Sequence, residues 1–596
     1  MPYSPPLRDI DFALNHVANL KEISQLEGYG HADPETISDL LEEAGRFFSE
    51  VIAPLNRSGD IEGSRLVDGK VVTPEGFKDA YSKFVEAGWP GAHMSEEWGG
   101  GGLPYLVGLV IQEFSKSANM AFSLCPMLTQ GGIEALIELG TTEQHDTFLE
   151  KLVTGEWTGT MDLTEPEAGS DVGALRTRAE PQEDGTYRLF GQKIFITWGD
   201  QDFTENVVHL VLARTPDSPP GTTGISMFIV PRNLVDEDGN PGEENDLRVV
   251  SLEHKLGIHA SPTCVMSFGD RGDGALGYVL GGEGDGMKNM FIMMNAARIG
   301  VGIEGLAIGE GAYQKALQFT RERKQGRLPG QPATESVAII EHPDVRRMLL
   351  TMKSYNEAMR RLLYVVAQGV DLERHDPDES TRRAAGQRVA LLTPIAKAWC
   401  TDLGVEQASL GIQIHGGMGY IEETGAAQYF RDSRIAPIYE GTNGIQAIDL
   451  LMRKLPMGNG AVMTALCDEI AATIKELQGH TDLNATRLNM EDGLEALRLG
   501  TEHLLSVMGN HPSQALAGAT PYLGLAGNVI GGWLMARSAL VAKDLIESNG
   551  PDAWMASKIT TGRFYCEQLM PKAFGLLDGV RGGDELLFAI PTDSLD

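Results

Sequence analysis

The segment Thr164-Glu-Pro-Glu-Ala-Gly-Ser-Asp171 says more about the fold of this 596-residue chain than any other stretch. It lies where a helical sequence pattern gives way to a β-rich one. Its hydroxyls and its tight Ala-Gly turn can present backbone N–H groups and side-chain donors to a phosphate or to the edge of a heterocycle. An ordinary polar turn has the same composition, so the meaning of the segment depends on its neighbours.

The region that follows, about residues 156–282, is predicted to be a β domain. It contains short β-rich runs at 207–212 and 225–230, and Asp184-Gly185 is typical of a hairpin turn. One of its segments, Gly191-Gln-Lys-Ile-Phe-Ile-Thr-Trp198, places Phe195 two residues before Thr197. On a regular strand these two side chains share a face, which suits a ring that stacks and a hydroxyl that donates a hydrogen bond.

Helical patterns lie on both sides of this β region. After a short extended lead, Asp33-Pro34 predicts an N-cap and the first turn of a helix, and the next hundred residues stay helical. Helical patterns return over 287–454, and a further helical region follows over 455–596. The predicted fold class is therefore mainly α with a central β domain.

One formal dinucleotide-binding pattern, Gly300-Val-Gly302-Ile-Glu-Gly305, occurs in the second helical region. The preceding residues, 290–298, have a helical rather than a strand pattern, and no βαβ unit surrounds them. We interpret these glycines as small residues that allow helices to pack closely. The motifs of phosphate-binding loops, zinc proteases and α/β-hydrolases do not occur in the sequence.

The composition excludes several classes of partner. Asp and Glu number 83 against 49 Lys and Arg, for a formal net charge of -34, which opposes binding to nucleic acid or to anionic membranes. The five cysteines form no C-x-x-C pair, so no metal site is predicted.

A cytoplasmic location is expected from two further features. The first residues, Met1-Pro-Tyr-Ser-Pro-Pro6, lack the basic and apolar regions of a signal peptide. The most apolar run, 523–536, is shorter than the ~20 residues that a membrane span needs.

A last informative segment, Arg431-Asp-Ser-Arg-Ile-Ala-Pro-Ile-Tyr-Glu-Gly-Thr-Asn-Gly444, places Glu440 in a loop before a predicted helix at 445–454. A lone glutamate in a loop is usually solvated. Four segments in order change that expectation: T-E-P-x-A-G-S-D at 164–171, K-x-F-I-T at 193–197, Q-I-H-G-G-M-G-Y at 413–420 and I-Y-E-G-T-N at 438–443. Together they resemble the acyl-CoA dehydrogenase family over roughly residues 40–455.

The resemblance implies a fold, a cofactor and a substrate class. The implied fold has a helical domain, a β-barrel domain and a second helical domain, here with an extra C-terminal helical domain; the cofactor is FAD and the substrate an acyl-CoA. The expected boundaries are 1–39 for an N-terminal extension, then 40–156, 157–284, 285–455 for the domain with the catalytic loop, and 456–596 for the additional domain.

Two groups of residues are placed on FAD by the resemblance. Those expected beside the flavin and pyrophosphate of their own chain's FAD are Leu163, Thr164, Gly169, Ser170, Phe195 and Thr197. Those expected at a partner subunit's FAD, or closing on the cofactor beside the catalytic loop, are Arg323, Gln413, Gly416, Gly417, Thr442 and Asn443. Phe195 replaces a family tryptophan, and Gln325 and Gly326 replace a common threonine and phenylalanine. The second group implies at least a homodimer.

Catalysis is assigned to Glu440, which aligns with the base of most family members. The residues expected to contact the substrate are Ser170, Asn295, Arg298, Tyr439 and Gly441. Burial should raise the pKa of Glu440 toward that of a useful base for the α proton of a thioester. An electron-transferring flavoprotein is the expected electron acceptor.

The length of the chain indicates a particular branch of the family. Residues 456–596 extend beyond ordinary members, and the whole chain is similar to a long bacterial subfamily that converts 3-(methylthio)propanoyl-CoA to methylthioacryloyl-CoA in dimethylsulfoniopropionate breakdown. The alternatives are a medium- or long-chain acyl-CoA dehydrogenase of β-oxidation, an acyl-CoA oxidase, and a DNA-associated flavoprotein of the alkylation response. The last should carry a basic C-terminal domain, whereas 455–596 has no basic cluster.

Overall fold

The N-terminal region of the computed structural model, which describes residues 3–330 and 336–595, is helical from its start. The expected extended lead is wrong, because Leu7–His16 forms α1 and Leu20–Ile23 forms α2. Helix α1 forms because Ile10, Phe12 and Leu14 all bury their side chains in the main core.

The rest of this region confirms the predicted start of a helix at Asp33. The Asp33 carboxylate accepts hydrogen bonds from the backbone N–H groups of Glu35 and Thr36, and it thereby caps α3. The elements are α3 (Pro34–Phe47), α4 (Leu55–Glu62), β1 (Arg65–Val67), β2 (Lys70–Val72), α5 (Phe77–Glu86), α6 (Tyr105–Ala118), α7 (Met120–Leu139) and α8 (Thr142–Thr154).

The central domain contains an eight-stranded sheet that closes into a barrel. Strand β4 pairs with β5 on one side and, at Arg178, with β6 on the other, which completes a ring of β5, β12, β7, β6 and β4. Gly185, with φ +84°, makes the predicted turn between β4 and β5. The strands are β3 (Thr158–Asp162), β4 (Arg178–Pro181), β5 (Tyr187–Thr197), β6 (Val207–Arg214), β7 (Ile225–Pro231), β8 (Asn233–Val235), β9 (Pro241–Glu244), β10 (Leu247–Leu252), β11 (Thr263–Phe268) and β12 (Ala275–Val279).

Long helices form the second half of the chain. The first set comprises α9 (Gly286–Glu322), α10 (Pro343–His375), α11 (Glu379–His415), α12 (Ala426–Ser433) and α13 (Asn443–Asp449). The additional set comprises α14 (Ala461–Leu477), α15 (Asn484–Val507), α16 (Pro512–Ala517), α17 (Ala519–Asn549), α18 (Ala553–Phe564) and α19 (Leu576–Arg581). Both sets share one hydrophobic core with the N-terminal helices.

Helices α9 and α11 cross with their backbones in contact. A Cβ atom added at Gly305 would lie 2.0 Å from the carbonyl oxygen of Cys400, and one added at Gly404 would lie 2.7 Å from the Cα of Gly305. Only glycine fits at such a crossing. The interpretation of the 300–305 glycine pattern as a helix-packing motif is therefore confirmed.

In the part of the chain that the structure describes, three helices, α7, α9 and α17, are long and apolar enough to span a membrane by length and composition alone. The sequence-based estimate for 523–536 was too short, because α17 extends that run on both sides. Most of each apolar stretch is buried inside the protein. Their apolar character is explained by packing against other helices on several sides.

A buried ion network joins the two ends of the chain. Asp9 on α1 pairs with Arg360 and Arg361 on α10 and with Lys558 on α18, with N–O distances of 2.6, 3.0 and 2.6 Å. Lys558 also binds Glu357 at 2.7 Å, and all of these side chains are almost fully buried. Burial opposes ionisation, but Arg361 and Lys558 hold the pKa of Asp9 well below its usual value. Burial also opposes ionisation of Glu357, but Lys558, Lys353 and Arg361 together outweigh it and lower the pKa of Glu357 to about 2.

The helix crossing predicts a large effect of Gly305→Ala. We expect it to lower the free energy of unfolding by about 3 kcal/mol, because the new methyl overlaps backbone that cannot move alone. Gly493→Ala on α15 is the control, since its nearest neighbour would be Val529 Cγ2 at 3.4 Å. Denaturant unfolding monitored by circular dichroism measures both. Equal stability of the two variants would show that α9 and α11 can separate at little cost.

The ion network predicts that Lys558→Met destabilises the fold by about 3–5 kcal/mol, because it leaves buried carboxylates unpaired. The surface pair of Lys83 with Asp79 gives the control Lys83→Met, which should cost at most about 1 kcal/mol. Asp9 and Glu357 have lower pKa values in the folded chain than in the unfolded chain, where a carboxyl titrates at about 4. They therefore stabilise the fold at pH values above about 4, and this stabilisation is lost as the pH falls through their pKa values in the folded chain. The acid-unfolding midpoint of Lys558→Met should therefore lie at higher pH than that of the wild type. Unchanged acid unfolding would contradict this account.

Candidate active site

The predicted catalytic loop forms a sharp turn between α12 and α13. Glu440 has φ +55° and Gly441 has φ +81°, so two consecutive residues occupy the left-handed region. For a glutamate this conformation costs of order 1–3 kcal/mol, and it persists only where the surroundings hold it. We call residues 439–441 the 439–441 turn.

Three side chains from three helices hold this turn. The Lys397 ammonium on α11 donates to the carbonyl oxygen of Gly441 at 3.0 Å. The Gln446 amide on α13 donates to the carbonyl oxygens of Glu440 and Gly441, both at 3.2 Å. The Tyr439 hydroxyl donates to Glu304 Oε2 on α9 at 2.5 Å. The strained conformation is therefore fixed by buried polar contacts.

Thr442 and Asn443 bind the protein itself in this structure. The Thr442 hydroxyl accepts from the backbone N–H of Ile445 at 3.2 Å and caps α13. The Asn443 amide donates to Asp402 at 2.7 Å, and its oxygen accepts from Lys397 at 2.9 Å. Both side chains thus anchor the segment that follows the turn, while their predicted contact with the cofactor stays a prediction.

The electrostatic environment of Glu440 suits a general base. Its side chain is half-buried, and burial raises its pKa above the usual value although Lys397 and Arg298 oppose the shift. Burial also lowers the pKa of Lys397, to about 8. A carboxylate with a raised pKa is a stronger base, so it is better able to remove a weakly acidic proton.

Arg298 lies beside the turn, while its predicted contact with the substrate stays a prediction. It is 3% exposed, and its Nη1 binds Asp449 Oδ2 at 3.0 Å. Its Nη2 is 3.9 Å from where a Cβ on Gly441 would lie. Among the described residues its buried Nε has no hydrogen-bond partner. Arg298 and the exposed Asn295 both line a cavity of about 360 Å³ between α7, α9, α10 and α11.

The start of the 164–171 segment is hydrogen-bonded to β5 at residues 193 and 194, which belong to the K-x-F-I-T motif. The backbone N–H of Ile194 donates to the carbonyl oxygen of Thr164 at 2.9 Å, and the Lys193 ammonium donates to that of Leu163 at 3.0 Å. Lys193 also forms a buried ion pair with Glu165 at 2.8 Å. The T-E-P-x-A-G-S-D and K-x-F-I-T motifs therefore lie side by side and form one surface.

Phe195 departs from the regular strand that its spacing suggested. It has φ +61°, and the β5–β11 register shifts next to it, so a β-bulge interrupts simple alternation. Its ring is 58% exposed. A bulge thus interrupts the regular strand that the two-residue spacing assumed, although Phe195, Ile196 and Thr197 still alternate as exposed, buried and half-buried. An exposed aromatic ring on a strained backbone still offers a face for stacking.

The hydrogen-bond donors on the surface formed by residues 163–170 and 193–197 fit a flavin nucleotide. Thr164 and Thr197 are half-buried and supply two hydroxyls, and Ser170 supplies an exposed one. A Cβ at Gly169 would meet nothing within 4 Å, so the backbone there is open to a bulky group. Hydroxyls, an open backbone and an unpaired aromatic face are what an isoalloxazine and a pyrophosphate require.

The second predicted group lies at the far end of α9 and α11. Arg323, Gln413, Gly416 and Gly417 are exposed, and the stacked rings of Phe319 and His415, 4.5 Å apart, join the two helix ends. Along α9, Arg323 lies roughly 35–40 Å from Arg298, given the 1.5 Å rise per residue. Such a separation suits contact with a different FAD molecule, as the predicted homodimer requires.

Sequence reasoning missed Lys397, Glu304 and Gln446. Each carried a weak signal, because each is a polar or charged residue that a helical pattern places among apolar or small neighbours. Lys397 follows Ile395-Ala396 and precedes Ala398-Trp399, and Glu304 stands inside the glycine pattern. The pattern could not show that all three converge on one turn.

Comparison with known proteins agrees with this geometry. The chain matches the family models for the acyl-CoA dehydrogenase N-terminal domain over residues 34–156, the middle domain over 160–270 and the C-terminal domain over 284–455. A fourth model, acetyl-CoA dehydrogenase C-terminal like, matches 466–591.

Two relatives and one solved structure extend over nearly the whole chain. The 3-methylmercaptopropionyl-CoA dehydrogenase of Ruegeria pomeroyi is 47% identical, over 96% of each chain. A butyryl-CoA dehydrogenase of Syntrophomonas wolfei is 35% identical, over 99% of each. The fold is that of Caenorhabditis elegans ACDH-11, crystallised with C11-CoA, with a TM-score of 0.77 and 20% identity over 99% of this chain and 97% of that one.

A helical, barrel, helical architecture with a flavin surface and a poised carboxyl defines a class of flavoprotein oxidoreductases. The chain belongs to the acyl-CoA dehydrogenase family. It is an FAD-dependent oxidoreductase that acts on CH–CH groups of acyl-CoA thioesters.

Proposed function

We propose that the substrate is 3-(methylthio)propanoyl-CoA, that the product is methylthioacryloyl-CoA, and that Glu440 is the catalytic base. The observation that carries the role of Glu440 is its left-handed turn, which holds a half-buried carboxyl between Lys397 and Arg298. The choice of substrate is supported by the 47% identity with the Ruegeria enzyme along almost the whole chain. The reaction is then a step in the breakdown of dimethylsulfoniopropionate.

The proposed reaction uses the chain's own residues for binding and proton transfer. Glu440 takes the α proton of the thioester, and its raised pKa supports this role because a more basic carboxylate abstracts a weak acid's proton more readily. The backbone N–H of Glu440 is proposed to bind the thioester oxygen, where negative charge develops. Arg298 and Asn295 would bind the CoA portion at the cavity that they line.

FAD is proposed to lie on the surface made by the first and second motifs. Leu163, Thr164, Gly169, Ser170, Phe195 and Thr197 would hold it. When bound, FAD supplies the acceptor for the hydride that leaves the β carbon, so that loss of a proton and a hydride yields the double bond. Glu440 must therefore meet the substrate on the face opposite the flavin.

We further infer an electron-transferring flavoprotein as the electron acceptor, a homodimer as the assembly and the cytoplasm as the location. The acceptor and the assembly are supported by family membership, and the exposed second group at the far end of α9 supports a shared cofactor site. An acyl-CoA oxidase would instead pass electrons to oxygen.

Glu440→Gln tests the base. Anaerobic flavin reduction by acyl-CoA should slow by about 10²–10⁴-fold, because the amide cannot accept the α proton. FAD content, measured from the visible absorbance of purified protein, should stay at the wild-type level, since Glu440 is not among the residues assigned to hold the cofactor. A variant that reduces its flavin at a wild-type rate would remove Glu440 as the base.

A substrate panel tests the acyl group. Butyryl-CoA, 3-(methylthio)propanoyl-CoA and octanoyl-CoA should be compared by kcat/KM with an artificial electron acceptor, and the methylthio compound should give the highest value. A preference for octanoyl-CoA would favour the β-oxidation alternative. Parallel assays of peroxide and of reduction of an electron-transferring flavoprotein identify the acceptor, and dominant peroxide formation would instead indicate an oxidase.

A further inference from the structure

A fully buried carboxyl lies directly behind the catalytic turn. Glu304 on α9 is 0% exposed, and its Oε2 accepts the 2.5 Å hydrogen bond from the Tyr439 hydroxyl. Its Oε1 has no hydrogen-bond partner in the part of the chain that the structure describes. Unsatisfied buried carboxyl oxygens are costly, and their retention indicates a role that stability does not explain.

The groups that face Glu304 come from every element around it. Lys116 on α6 is 2% exposed, and its ammonium donates to Gln112 at 3.2 Å; Lys397 on α11 and Tyr439 and Glu440 in the turn complete the set. Burial raises the pKa of Glu304 to about 8, although Lys116 opposes the shift. Burial thus favours the neutral carboxyl, which still offers an oxygen that accepts from Tyr439.

We propose that Glu304 is a positioning residue for the reaction, which holds the 439–441 turn in its strained conformation by accepting the hydrogen bond of Tyr439. This inference rests on Glu440 being the base of the proposed function. The 300–305 glycine pattern then has two roles. Gly305 packs α9 against α11, and the neighbouring Glu304 binds the Tyr439 hydroxyl.

The physical reason lies in the backbone of Glu440. A non-glycine residue at φ +55° relaxes toward an ordinary conformation unless its neighbours prevent it. Lys397 and Gln446 bind the carbonyl oxygens of the turn, and Glu304 alone among these three groups binds the side chain that precedes Glu440. Loss of this bond frees the Tyr439 ring to move and takes the Glu440 carboxylate away from the α carbon.

The size of the effect follows from the geometric demands of proton transfer. A displacement of about 1 Å can reduce a rate by on the order of 10²-fold. Binding of the acyl-CoA should change little, because Arg298 and Asn295 are untouched and the Tyr439 hydroxyl, the one polar atom of that side chain, is already bound to Glu304 and is not free for the substrate. The signature of positioning is thus a slower chemical step with nearly constant affinity.

Three variants with Glu440 intact test the proposal in the FAD-loaded enzyme. Glu304→Leu removes the acceptor at similar volume, Tyr439→Phe removes only the donating oxygen, and Glu304→Gln keeps a neutral acceptor. The measurement is anaerobic stopped-flow flavin reduction, with the limiting rate and the acyl-CoA dissociation constant determined separately. The probe is whichever of butyryl-CoA, 3-(methylthio)propanoyl-CoA and octanoyl-CoA reduces the wild type fastest.

Glu304→Leu and Tyr439→Phe should each lower the limiting rate by about 10–100-fold with little change in dissociation constant. The double variant should be no slower than the slower single one, because both remove the same bond. Glu304→Gln should keep most of the rate. The proposal is overturned if Glu304→Gln is as slow as Glu304→Leu, if the loss appears in the dissociation constant, or if the two losses multiply.

Two comparisons separate this inference from the proposed function. If no acyl-CoA reduces the wild-type flavin, or if Glu440→Gln remains active, the proposed function fails. If both behave as expected and Tyr439→Phe reacts like the wild type, only the role of Glu304 fails. Tyr439→Phe deletes a single oxygen, so it keeps the test decisive even where Glu304→Leu does not fold.

Discussion

The contact between the backbones of α9 and α11 is the constraint on which the rest of the site depends. Gly305 allows α9 to touch the carbonyl oxygen of Cys400. Glu304, next to Gly305 on α9, and Lys397, one turn before Cys400 on α11, both bind the 439–441 turn. A wider crossing would separate the two anchors. The two anchors of the strained Glu440 backbone therefore stand on helices whose close contact depends on the absence of a side chain at Gly305.

One turn of α11, residues 397–400, connects three parts of the molecule. Lys397 binds the catalytic turn, Cys400 contacts α9, and Trp399 packs on Gly527 of α17, where an added Cβ would lie 2.4 Å from the indole ring. The additional C-terminal domain thus supports the back of the helix whose front holds the site. The ion network around Asp9 and Lys558 ties the same domain to the first helix of the chain.

Electrostatics and strain act together at the site. Burial makes Glu440 more basic, while Lys397 and Arg298 limit the shift and keep ionisation accessible. The cations also have structural partners, the turn for Lys397 and Asp449 for Arg298, so that their positions are fixed before any ligand binds. A site with fixed charges needs little rearrangement as charge develops during the reaction.

The sequence by itself determined the features that local physics controls. The cap at Asp33, the turn at Gly185 and the α, β, α order were readable, because caps, turns and periodicity depend on neighbours in the chain. The ordered motifs around Thr164, Phe195 and Glu440 were readable through their resemblance to a family. Local rules failed for the first helix, which forms only against the core, and at Phe195, where pairing with β11 introduces a bulge. Only the tertiary structure decided that Glu304, Lys397 and Gln446 meet at one strained turn, because convergence of distant residues depends on how closely helices pack.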